Sequence, residues 1–335
     1  MNLHLQHDAA ITAIVSPKGV CPGVATVKVR VKNFGITTLN SVQLNWSVNN
    51  VAQTAITYTS PILSGLDTVV TIGTFNVTAN TIYNLKIYTS SPHNGTDANP
   101  LNDTVVLNNF RSGLVGTFSV GGTGSNFANI AAVADILNTN GVCGPVVLNI
   151  NPAAGPYAGF TLQNITGLSA INTLIINGNG SVINTTTNGI NLYKVNYTTI
   201  DSFVINVNGA SGFGINLREG DYNTIKRNKV TIPQEKTATT FSALAMSGSA
   251  SSATTAGRFR YNTIENNVFI GGYYLMSIYG NSADLTSAVG NVVRNNKLLD
   301  TYIYSFYTIG TDSLIFENNE IARPNRTLNF TTFYG

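Results

Sequence analysis

Apolar and polar residues alternate along most of the first 111 positions of the chain. In the clearest stretch, Val27, Val29 and Val31 are separated by single charged residues. A period of two places these valines on one face of a β-strand. Seven short stretches of this kind, separated by Gly, Asn and Pro residues that favour turns, predict a β-sandwich over residues 1–111 with Trp46 in its core.

Three features of this region carry a family resemblance. They are the run VKVRVKNFG, the interval to the strand that contains Trp46, and the closing segment DANPLNDT. Together they resemble the cell-adhesion-related immunoglobulin-like domains of bacterial surface proteins, over about residues 8–110. The resemblance implies an immunoglobulin-like sandwich that acts as a stalk or spacer, which presents other domains and carries no catalytic site.

The closing segment also contains Asp97, Asn99 and Asp103, whose side-chain oxygens have the spacing that a calcium loop uses. The alternative is a turn in which these side chains hydrogen-bond their own backbone. The turn is the simpler interpretation. We therefore expect no cofactor, and calcium is the one ion that the sequence suggests.

Four segments in the last third of the chain repeat one another. Each has an apolar residue three positions before a shared asparagine and another two positions after it, and the shared residues are Asn228, Asn267, Asn296 and Asn319. Units of this length with period-two alternation predict the coils of a parallel β-helix. We expect the asparagines to sit at a bend with left-handed backbone and to hydrogen-bond from coil to coil as a ladder.

The interval between Asn228 and Asn267 is the longest of the series. It predicts an extra loop over about residues 233–260, and its Ser, Ala, Thr and Gly content predicts that this loop is mobile.

Ahead of the coils, Phe127, Ile130 and Val133 recur at helical spacing and predict one helix over residues 126–137, with Ser125 as its N-cap. A helix at this place would cover the strand edges and the open core of the first coil.

The sequence from GTFSVGGTGSNF, through this helix, to NGVCGPVVLNINP resembles the entry region of pectate-lyase-like right-handed β-helix proteins. It most resembles surface proteins of bacteria that use type IX secretion. The resemblance implies a right-handed parallel β-helix over residues 112–335, incomplete at its C-terminus, behind an N-terminal capping helix. It also implies O-glycosylation at Asp-Ser/Thr-aliphatic triplets, with Thr68, Thr104 and Ser313 as the acceptors.

Composition narrows the function. Charged residues make up 10% of the chain, against roughly 25% in average soluble domains, and the net charge is +3. The absence of a basic run disfavours nucleic acid as a partner. No apolar stretch is long enough for a transmembrane segment. The first residues do not form a signal peptide, so we expect an excised piece of a longer extracellular or cell-surface protein that continues into further domains.

The two cysteines, Cys21 and Cys143, fall in different predicted domains. We therefore expect both to be free, buried thiols.

Two groups of residues are candidates for ligand binding. Arg218, Glu219 and Asp221 would hold a cation or a sugar, although solvated residues beside a turn have the same pattern. Tyrosines on two consecutive coils would form a platform for sugar rings, because an aromatic face with a polar tip suits both parts of a sugar. The alternative for these tyrosines is packing in the core. The tyrosines are Tyr273, Tyr274, Tyr302, Tyr304 and Tyr307.

Polysaccharide lyases and hydrolases of the pectate-lyase-like class need acidic side chains that converge on one face of the coil. The carboxylates after residue 112 are scattered along the sequence and do not form pairs. We therefore expect a non-catalytic adhesion or carbohydrate-binding segment, with a polysaccharide or another cell-surface glycan as the partner. A polysaccharide lyase or hydrolase, and a structural spacer without a ligand, are the alternatives.

Overall fold

The computed structural model describes residues 6–327. These residues fall into two compact units, one that ends at Leu114 and one that begins at Val115. The sequence analysis placed this boundary between residues 111 and 112.

The first unit is an all-β sandwich of two antiparallel sheets. One sheet has the strand order β1-β2-β6, and the other has the order β4-β3-β7-β8 with β5 paired to β3. A short 3-10 turn lies at Pro92–Asn94. The strands are β1 (Ala9–Ser16), β2 (Gly23–Asn33), β3 (Val42–Val48), β4 (Val51–Ala52), β5 (Ile56–Tyr58), β6 (Asp67–Val77), β7 (Tyr83–Ser90) and β8 (Thr104–Phe110).

Trp46 lies in the core between these two sheets, as the alternation predicted. Its Nε1–H donates a hydrogen bond to the carbonyl oxygen of Thr54 at 3.1 Å, so its one polar atom is satisfied. The ring also explains Gly73 in β6, because a Cβ at that position would lie 2.5 Å from Trp46 Cζ2. The tryptophan and the glycine therefore form a matched pair.

The second unit contains one α-helix and twenty strands among the described residues, with 3-10 turns at Pro152–Ala154 and Leu285–Ala288. In chain order they are β9 (Leu114–Val120), α1 (Ile130–Asn140), β10 (Val142–Ile150), β11 (Phe160–Gln163), β12 (Leu174–Asn177), β13 (Val182–Thr185), β14 (Ile190–Tyr193), β15 (Thr198–Asp201), β16 (Val204–Val207), β17 (Gly212–Arg218), β18 (Thr224–Lys226), β19 (Lys229–Thr231), β20 (Phe241–Met246), β21 (Thr263–Glu265), β22 (Val268–Ile270), β23 (Tyr274–Tyr279), β24 (Val292–Arg294), β25 (Lys297–Leu299), β26 (Tyr304–Ile309), β27 (Ile315–Glu317) and β28 (Glu320–Ala322).

These strands form three long sheets, which we call coil sheets 1, 2 and 3. Sheet 1 has the order β27-β24-β21-β18-β15-β12-β10-β9, sheet 2 the order β13-β16-β19-β22-β25-β28, and sheet 3 the order β11-β14-β17-β20-β23-β26. From β12 onward the chain visits sheets 1, 2 and 3 in turn, and successive coils pair in parallel. The predicted fold class, an immunoglobulin-like sandwich followed by a parallel β-helix, is confirmed.

The helix begins four residues later than predicted. Its N-cap is Asn129, whose side-chain oxygen accepts a hydrogen bond from the Ala132 backbone N–H at 2.9 Å. Ser125 instead bonds the carbonyl oxygens of Gly122 and Phe127 within the preceding turn. Val133 and Leu137 are buried, which fits a capping role. No helix within residues 6–327 has the length and apolar character needed to cross a membrane.

The predicted asparagines lie in one column at the corner between coil sheets 1 and 2. Asn228, Asn267 and Asn296 each donate two bonds, from the backbone N–H and from Nδ2, to the side-chain oxygen of the asparagine one coil further on. The last acceptor is Asn319. Each Nδ2 also donates to a carbonyl oxygen of the preceding coil, as Asn267 does to Ile225 at 2.8 Å. The column therefore satisfies backbone groups that no strand pairing reaches.

A second column, which the sequence analysis did not identify, runs five residues earlier in each repeat. Asn223 and Asn262 donate backbone N–H bonds to the side-chain oxygens of Asn262 and Asn291 at 2.9 and 3.0 Å. All three are buried. The signal was present in the sequence, because an asparagine opens three of the four aligned repeats.

The left-handed backbone lies one residue before the first column and not on its asparagines, as the sequence analysis had assumed. The residues with positive φ are Ser202, Arg227, Asn266, Asn295 and Asn318. Each asparagine of the column hydrogen-bonds both the preceding and the following coil, which requires an extended backbone that continues the strand. The left-handed bend therefore falls on the residue before it.

Charged residues on the outside of coil sheet 1 also match from coil to coil. Asp201, Lys226, Glu265, Arg294 and Glu317 occupy one column of paired positions, and their charges alternate in sign. Arg294 and Glu265 form an ion pair with a nitrogen–oxygen distance of 2.7 Å. Opposite charges on adjacent strands favour this register over a slipped one.

We expect Asn267→Ala to lower the free energy of unfolding of the second unit by about 2–4 kcal/mol, because it leaves buried donors and a buried carbonyl without partners. Urea denaturation followed by far-UV circular dichroism measures this change. The matched control is Asn266→Gly, which removes an exposed side chain and keeps the left-handed backbone, with an expected change below about 1 kcal/mol. Equal losses for both variants would contradict a special role for the column.

Candidate functional site

Coil sheet 3 presents the broadest surface of the β-helix. From β17 onward its strands contain six or seven residues, whereas those of coil sheets 1 and 2 contain three. One column of its paired positions holds small, polar and aromatic side chains that alternate with the core residues of each strand. This column comprises Asn191, Asn216, Ala245, Ser277 and Tyr307.

Residues 247–257, which we call the covering segment, lie across the middle of this face. Ala253 packs in one cluster with Phe213, Ala245 and Tyr274. The backbone carbonyls of Ser249 and Ala250 accept bonds from the side-chain amides of Asn216, in β17, and of Asn188, just before β14. The prediction of a loop over 233–260 is therefore wrong in its extent, since β20 lies inside that range, and the covering segment is tied to the sheet.

The predicted tyrosines come together at the far end of the same face. Tyr274 is buried and stacks on Tyr304, with ring centroids 5.4 Å apart and an interplanar angle of 10°. Tyr273 and Tyr302 are 5.9 Å apart and tilted by 56°, and Tyr307 is tilted by 57° to Tyr304. Apart from Tyr274 these rings are half-buried, so the cluster combines packing with partial exposure.

Burial raises the pKa of Tyr274 to about 12, and the neighbouring tyrosines add to the effect. Burial also raises the pKa of Tyr307. Both phenols are protonated at neutral pH, as an ordinary tyrosine is, and the half-buried Tyr307 can donate a hydrogen bond.

The second predicted cluster does not form one site. The Arg218 guanidinium lies over the Tyr193 ring, 4.5 Å from its centroid. Glu219 is paired with Lys194 at 3.6 Å on the surface. Each side chain has its own partner, which supports the alternative of residues beside a turn.

The third member of that cluster, Asp221, is buried and serves as an anchor. It accepts bonds from Arg260 Nε and Nη2 at 3.1 and 2.9 Å and forms an ion pair with Arg258. Both arginines follow the covering segment directly, so Asp221 fixes the point where this segment rejoins the coil.

The structure also shows an aromatic column that the sequence analysis missed. Tyr197, Tyr222 and Tyr261 stack at 4.9 and 5.0 Å, with interplanar angles of 3° and 18°. This spacing equals that between neighbouring strands. The signal in the sequence is a tyrosine directly before the second asparagine column, at Asn223 and Asn262. Because each ring covers the face of the next, the column offers little ring face to a sugar.

In the first unit, Asp97 forms the turn that the sequence analysis named as an alternative to a calcium loop. Its two carboxylate oxygens accept backbone N–H bonds from Ala9 and Asn99 at 2.9 and 2.8 Å. Within residues 6–327, no group of three or more His, Cys, Asp or Glu side chains is arranged to hold a metal ion. Calcium binding at this loop stays a prediction.

Asp103 is buried beneath this turn, and its Oδ1 has no hydrogen-bond partner. Burial raises its pKa to about 6, and the negative charge of Asp97 adds to the shift. Burial also raises the pKa of Asp8, against the lowering effect of its hydrogen bond from Asn102. The folded state therefore binds a proton more tightly here than the unfolded chain does.

The expectation of free thiols is wrong. Cys21 and Cys143 are both disulfide-bonded, and the described residues contain no free cysteine. That expectation rested on the assignment of the two cysteines to different domains. Such an assignment does not determine the distance between two side chains.

The predicted glycosylation acceptors are reachable to different degrees. Thr104 begins β8 and Ser313 precedes β27, and both are exposed, whereas Thr68 in β6 is half-buried. Their modification stays a prediction.

We expect the first unit to lose stability as the pH rises from about 4 to about 6, because ionisation of Asp103 is unfavourable in the folded state. Asp103→Asn removes this ionisation and should raise the free energy of unfolding at pH 7 by on the order of 1–2 kcal/mol. Denaturation monitored by fluorescence of Trp46, the only tryptophan of the chain, reports on this unit. The control is Asp67→Asn at an exposed carboxylate. A variant no more stable than the wild type at pH 7 would disprove the assignment.

No protein-family model and no curated protein matches the chain. Among solved structures, the crystal structure of the CARDB domain of the PF1109 protein from Pyrococcus furiosus, in complex with di-metal ions, is 16% identical. The match covers 31% of this chain and 86% of that one, with a TM-score of 0.25. The solution NMR structure of the same domain is 17% identical, covers 31% of this chain and 90% of that one, and has a TM-score of 0.22.

Proposed function

We propose that the chain is a non-catalytic, extracellular adhesion segment that binds a glycan through coil sheet 3. The observation that carries this proposal is the chemistry of that face. Where this face is not covered, it presents the amide of Asn191 at one end and the half-buried Tyr307 with its neighbouring tyrosines at the other, whereas Asn216, Ala245 and Ser277 between them are buried. Amide and tyrosine side chains recognise the hydroxyl groups and apolar ring faces of sugars.

The ion pairs of the coils argue against a polysaccharide-cleaving enzyme. Asp201 and Asp221, two buried carboxylates of the coils, are held by Arg227 and by Arg258 and Arg260. A general acid or base must exchange its proton during the reaction. A carboxylate fixed in arginine ion pairs instead favours a structural role.

The tyrosine cluster supplies the aromatic contact in this proposal. Its rings are tilted at 56° and 57° in two of the pairs, so their faces do not cover one another completely. The column of Tyr197, Tyr222 and Tyr261 lacks this property because its rings are stacked. Repetition along a rigid coil would let several weak contacts combine into avidity.

The disulfide-bonded state of Cys21 and Cys143 supports an extracellular location, because disulfides persist in oxidising compartments. The exposed Thr104 and Ser313 fit the same location as acceptors for O-glycosylation. Secretion by the type IX route, implied by the family resemblance, belongs to this proposal as well.

Retention of the purified chain on an array of extracellular polysaccharides tests the proposal. We expect Tyr307→Ala to weaken retention by about tenfold or more, through loss of one aromatic contact. The matched control is Tyr222→Ala, which removes a more exposed ring from the stacked column and should leave retention unchanged. Melting temperatures of both variants separate loss of binding from loss of folding.

Incubation with acidic polysaccharides and calcium tests the enzymatic alternative. We expect no new chain ends. Cleavage of any polysaccharide would overturn the proposal in favour of a lyase or hydrolase. If the wild-type chain is retained on no glycan, a structural spacer without a ligand is the remaining interpretation.

A further inference from the structure

We infer that a notch beside the covering segment is a binding site for one neutral sugar ring, an inference that rests on the proposed glycan-binding function. The notch has a volume of about 220 Å³. Pockets for drug-sized ligands span roughly 300–1,000 Å³, so this one suits a single ring. Its lining includes the side chains of Thr187, Asn188, Asn191, Ser211, Thr240 and Ala250.

The lining contains hydroxyl and amide groups and no Asp, Glu, Lys or Arg. Charged ligands such as uronic acids would therefore find no counter-charge in it. A neutral sugar offers several hydroxyl groups that both donate and accept, which matches side chains of Ser, Thr and Asn. The exposed Ala250 adds a small apolar surface at the rim, against which a ring can pack.

The Asn188 side chain stabilises the notch through bonds within the protein and does not contact the ligand in this proposal. Its Nδ2 donates to the Ala250 carbonyl at 2.8 Å and to Asn191 Oδ1 at 3.0 Å, and its Oδ1 accepts from the Phe213 N–H at 2.8 Å. One side chain thus connects Asn191 of its own coil, Phe213 of the next coil and Ala250 of the covering segment. These bonds pre-organise the notch, which lowers the entropic cost of binding.

Other polar groups of the notch remain available. Asn191 uses its side-chain oxygen for Asn188, while its Nδ2 and the side-chain hydroxyls of Thr187, Ser211 and Thr240 have no hydrogen-bond partner within residues 6–327. Both donors and acceptors therefore face a ligand without breaking any bond inside the protein.

Gly212 allows two neighbouring coils to approach closely beside the notch. Its φ is +149°, and a Cβ there would lie 2.2 Å from the Thr187 carbonyl oxygen. The backbone of one coil thus approaches that of the previous coil directly beneath the notch.

Ligand-observed NMR with methyl glycosides of glucose, galactose, mannose and N-acetylglucosamine tests the inference, with methyl glucuronide as the charged comparison. We expect at least one neutral glycoside to bind with a Kd on the order of millimolar, and the glucuronide to bind no better than the glucoside. Asn191→Ala should weaken this binding about tenfold. Ala250→Trp, at an exposed position on the rim, should abolish it by filling the notch.

The matched control is Asn206→Ala, in coil sheet 2 of the same region, which should leave binding unchanged. Melting temperatures establish that each variant is folded. Absence of binding by any glycoside, or binding that survives Ala250→Trp, would overturn the inference. If polysaccharide retention through Tyr307 persists in that case, the proposed function stands without this site, whereas a wild-type chain retained on no polysaccharide fails the proposed function itself.

Discussion

Hydrogen bonds from asparagine side chains to the backbone of the neighbouring coil are the interactions on which the β-helix depends. At the corner between two sheets the chain turns, and its N–H and C=O groups leave the strand ladder. Asn267 satisfies two such groups of the preceding coil, because its oxygen accepts from the Asn228 backbone N–H and its Nδ2 donates to the Ile225 carbonyl. Each buried group left unpaired would cost about 1–3 kcal/mol, and the asparagine column removes this cost at the corner. One coil before Asn228, Phe203 takes the place of the asparagine, and its backbone N–H donates to Asn228 Oδ1 at 3.0 Å.

Because of this arrangement, the path of the chain at the corners does not depend on the length of the strands on the faces. With two columns of asparagine fixing the path of the chain, coil sheet 3 is free to extend its strands and to carry an insertion after β20. The insertion folds back on the sheet and leaves a small notch at one side and a tyrosine cluster at the other. The binding surface proposed for this protein is therefore a product of irregularity on one face of a regular scaffold.

The sequence predicted the scaffold well because its signals are local and repeated. Apolar residues three before and two after each shared asparagine specify the inward positions of sheets 1 and 2, as Ile264 and Phe269 illustrate. The left-handed position was misplaced by one residue, because pattern alone does not tell which of two adjacent asparagines, such as Asn266 and Asn267, turns inward.

The site was less accessible to sequence reasoning. The partners of Asp221 are Arg258 and Arg260, which lie 37 and 39 positions away and across an insertion of irregular length. The notch joins residues of three coils through Asn188, which no motif marks. Contacts of this kind depend on how the insertion packs, and the alternation of apolar and polar residues contains no information about it.

The left-handed residues beside the first asparagine column have a practical consequence. Ser202, Arg227, Asn266, Asn295 and Asn318 share one backbone conformation with different side chains. From Arg227 onward these side chains are exposed. The identity of Asn266, Asn295 and Asn318 is thus uncoupled from the interior, and these three form a row of attachment points at a fixed spacing of one strand, whereas Arg227 is held in its ion pair with Asp201. Chemical labels or charged side chains introduced at these three positions would be spaced at regular intervals along the β-helix. They would leave the hydrogen bonds between its coils unchanged.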